Sequence, residues 1–427
     1  MFNEPERNPN RTLNLTVEDA SCTEAWIKLN ETNAELPASV KLYANDTLKQ
    51  TLELTTADTL IYDEGLLPNR AYAYRAELIK PQKPTVKSQT VTATTLDTTS
   101  HDFTWETFTF GGANGSSYLR DVAIINENDI WAVGEIHTSW TDQWDSNGVW
   151  VQPYNAVHWN GQEWELVRIG GYGYWAYNTV YAFSENDVWF DGTVQWNGQT
   201  YTAHVNNFPL EPNGDAWRVY GMWGTSSSDF YIVGQHGNIA HYDGSGWGKI
   251  ESGTEVKLRD VWGSSDGSEI YACGYNLGDG FTTFLVINAK DKSVYKLYEG
   301  MSNGEIDGHL VNFIAGVYSY GKKVYSMNLT FLYDLRKINP PKIKLIAEWN
   351  WAGESINGDG YNDIMISGQG GLLLHYNGLS VKKYAEFSDN YLFLYGTDIK
   401  DGTAVAVGMD YQGAAADSPA VIYLGRR

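Results

Sequence analysis

Two cysteines in 427 residues cannot build a disulfide framework, and so few say nothing firm about the redox compartment. Cys22 and Cys273 fall in segments that the pattern below assigns to different domains, so no bridge between them is expected. No apolar run approaches the ~18 residues a membrane-spanning helix needs. Positive charge is scarce: 30 Lys and Arg against 52 Asp and Glu give a net charge of −22. That balance argues against a phosphate-backbone partner, which draws on Lys and Arg. Acidity of this kind serves solubility, or gathers around a cation or a basic ligand. Proline is sparse at 12, which leaves glycine, at 43, as the main turn-forming residue. Aromatics make up 14%, mostly Tyr and Trp. Strand formers between glycine turns describe an all-β protein.

One unit of sequence returns seven times as a turn, a short apolar strand and, in most copies, a glycine. It reads Glu127-Asn-Asp-Ile-Trp-Ala-Val-Gly134, then Glu185-Asn-Asp-Val-Trp-Phe-Asp-Gly192, then Ser227-Ser-Asp-Phe-Tyr-Ile-Val-Gly234. The matching positions are Trp131, Trp189, Tyr231, Tyr271, Tyr325, Met365 and Val405. A spacing near ~40 residues, with four strand-like runs per unit, predicts propeller blades. A hairpin turn also recurs, as His158-Trp-Asn-Gly161, Gln195-Trp-Asn-Gly198, His241-Tyr-Asp-Gly244 and His375-Tyr-Asn-Gly378. Asn-Gly and Asp-Gly suit tight turns, so these histidines read as strand-end residues rather than ligands. The seventh unit lacks a fourth strand. Phe103-Thr-Trp-Glu-Thr-Phe-Thr-Phe110, unpartnered before the first unit, is expected to supply it.

Residues 12–98 alternate apolar and polar in short runs, after a polar segment, 1–11, expected to be flexible. Within Gly65-Leu-Leu-Pro-Asn-Arg-Ala-Tyr-Ala-Tyr-Arg-Ala76, the residues Leu66, Pro68 and Tyr72 resemble the fibronectin type III corner. The resemblance implies a β-sandwich, a tyrosine hydroxyl bonded to backbone at the corner, Trp26 in the core, and a spacer or docking role. Trp223-Gly-Thr-Ser226 and Trp262-Gly-Ser-Ser265 resemble bacterial secreted or lipid-anchored propellers with Trp-Gly-Ser-Ser-x-x-Asp-Val-Tyr-x-Val-Gly repeats. The expected fold is therefore an all-β chain: a fibronectin type III-like domain over 12–98, and a seven-bladed propeller over 103–427 closed by strand 103–110. The start, Met1-Phe-Asn-Glu-Pro-Glu-Arg-Asn, has no apolar core of a signal peptide. Its polar composition suits the stretch behind a removed export signal. The expected location is extracellular or on a bacterial cell surface, with room for a lipid anchor on the unprocessed form.

What departs from the repeat is where a site is expected. A long insertion, Glu135–Tyr154, separates the second and third strands of the first blade. The link 169–178 leaves the same face. Together they carry Trp140, Trp144, Trp150, Tyr154, Tyr172, Tyr174, Trp175 and Tyr177. Tyr275 in the fourth blade, and Asp410 and Tyr411 in the seventh, belong to that face too. Rings among amides and carboxylates suit sugars. They equally suit protein hot spots, unless the insertion buries them as a mini-core. Asn357-Gly-Asp-Gly-Tyr-Asn-Asp363 resembles a calcium loop of integrin-type propellers, with Asn357, Asp359 and Asp363 as ligands, but Ser355 stands where an Asp is usual. A plain hairpin turn explains the same residues. Calcium is the one cofactor suggested.

Catalytic patterns are thin. No Gly-x-Ser-x-Gly, phosphate loop or paired-cysteine site occurs. A sialidase-type site would need an arginine cluster. Arg120 and Arg259 are repeat equivalents, each followed by an aspartate, Asp121 and Asp260, and read as strand-end pairs. Carboxylates are abundant enough for a glycosidase pair. The expected function is non-enzymatic binding of a glycan or protein ligand through the aromatic loop face. A glycoside-cleaving propeller and a purely structural surface-assembly protein are the alternatives.

Overall fold

The computed structural model describes residues 11–33, 36–170, 176–205, 207–211, 214, 216–336, 342–413 and 417–427. The chain is all-β, and it divides into two compact units, the first running to Thr99 and including Asn377–Ser380, the second made of Ser100–Tyr376 and Val381–Arg427.

In the N-terminal unit, Thr12–Ala20, Glu24–Thr32 and Asp58–Glu64 form one antiparallel sheet. Thr47–Leu54, Ala38–Ala44 and Ala71–Ile79 form the other, with Val86–Lys87 and Val91–Thr94 both pairing to Ala71–Ile79. Strand alternation sends Leu15, Ile27, Leu29, Val40, Leu42 and Tyr74 into one core. Tyr72 lies near the start of Ala71–Ile79, and its hydroxyl accepts the Leu67 N–H at 2.9 Å. Trp26 departs from its expected place. Ala25, Ile27 and Leu29 take the core face, so Trp26 is buried on the opposite one, edge-on to Tyr62.

In the second unit the described residues form seven four-stranded antiparallel sheets, each running first to fourth strand in order. Their first strands are Tyr118–Asn126, Val180–Ser184, Val219–Ser226, Leu258–Gly263, Ile314–Tyr320, Gly353–Gly358 and Leu392–Lys400. Each first strand neighbours the next, and the seventh returns to the first. The seventh sheet takes its outer strand from the other end of the unit: Thr104–Gly111 pairs with Pro419–Arg426 through eight consecutive partners, from Gly111↔Pro419 to Thr104↔Arg426.

The recurring residues have physical reasons. Where the turn carries an aspartate, that aspartate reaches the third strand: Asp129 to His158 at 2.7 Å, Asp229 to His241 at 2.7 Å, Asp363 to His375 at 2.9 Å. In the second sheet Gln195 donates to Asp187 instead, at 2.7 Å. The repeat aromatic opposite packs on the histidine ring, as Trp131 does on His158 at 4.2 Å between centroids. The recurring glycine ends the second strand against the start of the first. A Cβ on Gly274 would fall far inside contact with the Lys257 carbonyl oxygen, and one on Gly408 likewise with that of Phe393. Gly408→Ala is therefore expected to destabilise by ~1–3 kcal/mol in urea unfolding, as overpacking does. Gly278→Ala, with open space around it, should be near neutral.

Candidate functional site

Antiparallel order fixes which loops share an end. Links from second to third strand, and from fourth strand to the next sheet, leave from the end where first strands begin. The first-sheet insertion lies at that end.

The insertion has its own order. Gln143–Trp144 pairs with Trp150–Val151, and Asp145 Oδ1 accepts the Asn147 and Val149 N–H groups at 2.8 Å to close the turn. Its base is pinned by polar contacts. Asp142 Oδ2 takes the buried Thr141 hydroxyl at 2.7 Å and meets His137 Nδ1 at 2.8 Å. Asn114 donates to the Thr141 carbonyl at 3.1 Å. Because these anchors are polar, the rings remain outside: Trp140 is 76% exposed, Trp144 68% and Trp150 38%. Trp144 and Trp150 meet edge-to-face across the hairpin at 5.4 Å. The insertion folds on itself without burying its tryptophans as a mini-core.

The other expected residues scatter. Tyr154 is half-buried under the Arg168 guanidinium, 3.9 Å from its ring centroid. Tyr177 is buried beside Phe190, and Tyr275 beside Phe313, so neither offers a ring face to solvent. Tyr411 is partly exposed and Asp410 half-buried. The next residue, Gln412, bonds Ser418, which in turn bonds Ser116 and Ser117 near the insertion's base. Tyr172, Tyr174 and Trp175 lie outside the described residues.

The acidic loop of the sixth sheet has protein partners at each named position. Asn357 Oδ1 accepts the Gly358 N–H at 2.8 Å, and Asp359 Oδ2 the Asp401 N–H at 2.8 Å. Asp363 is the sixth-sheet member of the repeated Asp–His pairs and also bonds Arg427. Among the described residues no cluster of three or more His, Cys, Asp or Glu side chains could hold a metal.

The first strands line a central cavity of about 310 Å³, walled by residues of six sheets including Asp121, Asp260 and Asp398. Here the strand-end reading of Arg120–Asp121 and Arg259–Asp260 is corrected. Each aspartate reaches its neighbouring sheet. Asp121 Oδ2 accepts Val180 N–H and the Thr179 hydroxyl, both at 2.9 Å. Asp260 Oδ2 accepts Val317 N–H at 2.9 Å, and Asp398 Oδ2 accepts Ile124 N–H at 2.7 Å. Their other oxygens take the next N–H of their own strand. These carboxylates staple first strand to first strand, and their oxygens are committed to that task.

Burial pushes their pKa values up, Asp121 to about 6 and Asp260 and Asp398 to about 7. Such a group holds its proton more tightly folded than unfolded, where its value is near ~4. Its contribution favours the fold at low pH and is lost as pH rises through about 6–7. His101 opposes this. Burial lowers it to about 4, so its contribution is present above ~6.5 and lost on acidification. Asp398→Asn isolates the carboxylate effect. The rise in Tm between about pH 8 and about pH 5 should be shallower in the variant than in wild type. Equal slopes would remove Asp398 from the account.

The arginines do something sequence reasoning missed. A register shift after Leu119, and another after Leu258, leaves Arg120 and Arg259 unopposed on their second strands. Both line the cavity. Their repetition was the available signal.

The fold is that of a β-propeller. The crystal structure of the WD40 β-propeller domain of Doa1 matches with a TM-score of 0.50 at 10% identity, covering 76% of this chain and 97% of that one. The computationally designed Ika8 protein matches at 0.46 and 14% identity, covering 73% and 98%. The WD40 repeats of RRP9 match at 0.42 and 8%, covering 76% and 100%. No protein-family model and no curated protein sequence matches the chain. Among the described residues no helix is long and apolar enough to cross a membrane.

Proposed function

We propose that this protein is a non-enzymatic scaffold that holds a protein partner on the propeller face bearing the tryptophan hairpin. One observation carries the reading: Trp140 and Trp144 stand 76% and 68% exposed on a hairpin held by hydrogen bonds at its turn and base. Large rings that are both exposed and held in place lose little entropy on binding, and Trp is enriched in hot spots. The propeller supplies a rigid platform, which we read as seven blades, one per four-stranded sheet. The corner hydrogen bond of Tyr72 and the two-sheet core support reading the N-terminal unit as a fibronectin type III-like spacer. The resemblance of Trp223-Gly-Thr-Ser226 and Trp262-Gly-Ser-Ser265 to secreted or lipid-anchored propellers supports an exported, cell-surface setting.

A glycan is the second reading. It is favoured by Gln143 and Asn147, exposed on the hairpin that carries Trp144, since sugars pair ring faces with amides. The test runs a glycan array beside capture of cell-surface proteins, each with wild type and a Trp140→Ala/Trp144→Ala variant. A captured protein that rebinds when purified and is lost with the variant supports the scaffold. A variant-sensitive glycan signal moves the function to the second reading. Equal capture by both proteins ends the hairpin's role.

A further inference from the structure

The cavity mouth carries an unusual charge. Arg120 and Arg259 enter it from the first and fourth sheets. Arg218 and Lys257 immediately precede first strands of the third and fourth. These four cations gather at the start of the first strands, in a chain with 52 acidic residues against 30 basic. The insertion's end of the propeller is the same end.

Tyrosine rings hold the cationic stems. The Arg259 guanidinium lies 3.9 Å from the Tyr275 ring centroid, the Lys257 ammonium 3.8 Å from that of Tyr220 and the Arg120 guanidinium 4.6 Å from that of Tyr118. Tyr118 is fixed in turn by its hydroxyl, which donates to Glu135 at 2.7 Å, at the root of the insertion. This gives the buried Tyr275 a role beneath a cation rather than as an exposed ring.

Neutralising partners are few. Glu354 approaches Arg259 only to 4.0 Å, and its other oxygen takes the Gln369 amide at 2.7 Å. Arg259 Nε is buried with no hydrogen-bond partner. Among the described residues no carboxylate forms an ion pair with Arg120, Arg218 or Lys257. The Lys257 ammonium is pushed down to about 8 by burial and by Arg259, Arg120 and Arg218 around it. Crowded, half-desolvated cations of this kind gain when an anion arrives.

We propose that the cavity mouth is an anion-receiving site in which Arg120, Lys257 and Arg259 take the carboxylates of an acidic segment of the bound protein partner. The inference rests on the protein-scaffold reading of this face. Planar guanidinium forks match carboxylates, and a short acidic tip can reach this cluster of cations in a chain of net charge −22. A long polyanion would meet the surrounding negative charge. Asp121, Asp260 and Asp398 in the cavity wall keep the carboxylates at the rim.

The probe is an N-acetylated tri-glutamate amide, compared with inorganic phosphate and with trigalacturonate, by calorimetry. Saturable binding of the glutamate peptide is expected, weakening between about 50 and about 300 mM salt. Arg120→Gln/Arg259→Gln should lose at least ~10-fold in affinity. Arg218→Gln, an exposed change, should give a smaller loss and guards against misfolding of the double variant. No saturable peptide binding, or unchanged affinity in both variants, overturns the site. Tighter binding of trigalacturonate, or phosphate binding as tightly as the peptide, overturns the acidic-peptide assignment. The same titration on Trp140→Ala/Trp144→Ala separates the two claims. Peptide binding there should be intact, and it stands or falls independently of whether a partner needs the hairpin.

Discussion

Trp140→Ala/Trp144→Ala is expected to weaken partner binding by ~2–4 kcal/mol, at least ~30-fold, while melting close to wild type. The two rings are exposed, so their removal leaves no core cavity. Trp144 does pack against Trp150, but on an exposed hairpin whose turn is closed by Asp145 and whose base is held by Asp142. Thr141→Ala should behave differently. Thr141 is buried, its hydroxyl bonds Asp142, and it also receives the Thr138 N–H. Its loss should loosen the base and reduce affinity with the rings still present. Surface plasmon resonance with the purified partner, beside thermal melts, separates these outcomes. A Trp double variant that binds like wild type would show that the rings are surface ornament.

Asp363→Ala is expected to cost ~3–5 kcal/mol of stability. Asp363 is buried and serves two partners, His375 and Arg427. Its carboxylate fixes the His375 tautomer, with hydrogen on Nε2. His375 Nδ1 then accepts from His101 Nδ1, 2.8 Å away. Alanine would leave a guanidinium and a fully buried imidazole without their carboxylate. Urea unfolding measures the loss. Calcium or a chelator should leave the midpoint of wild type unchanged, because each candidate ligand already has a protein partner. A calcium-dependent rise in wild type that Asp363→Ala abolishes would restore the metal reading.

The propeller was legible because its repeat is enforced by contacts that several of its sheets share. The turn aspartate must meet the third strand, and the terminal glycine must clear a carbonyl. Such demands return the same residues at near-equal spacing. Residue type alone puts Trp26 in the core, and parity does not. Ala25, Ile27 and Leu29 already marked the core face by alternation, and Trp26 falls between them. Arg120 and Arg259 were harder. A bulge changes which way a residue faces, and nothing in Leu119-Arg-Asp-Val122 announces one. The aspartates that follow them bond backbone groups of another sheet, a partner that spacing along the chain does not reveal. The aromatic insertion was visible as a departure from the repeat. Its exposure was not, because that depends on polar anchors such as Asp142 and Asn114, the latter 24 residues or more from its partners in the insertion.

The most direct test of the scaffold reading is tryptophan oxidation read by mass spectrometry, with and without the partner. Among the described tryptophans, Trp140 and Trp144 should oxidise first in the free protein and be protected in the complex. Early oxidation that the partner does not suppress, or resistance of both residues in the free protein, would contradict it.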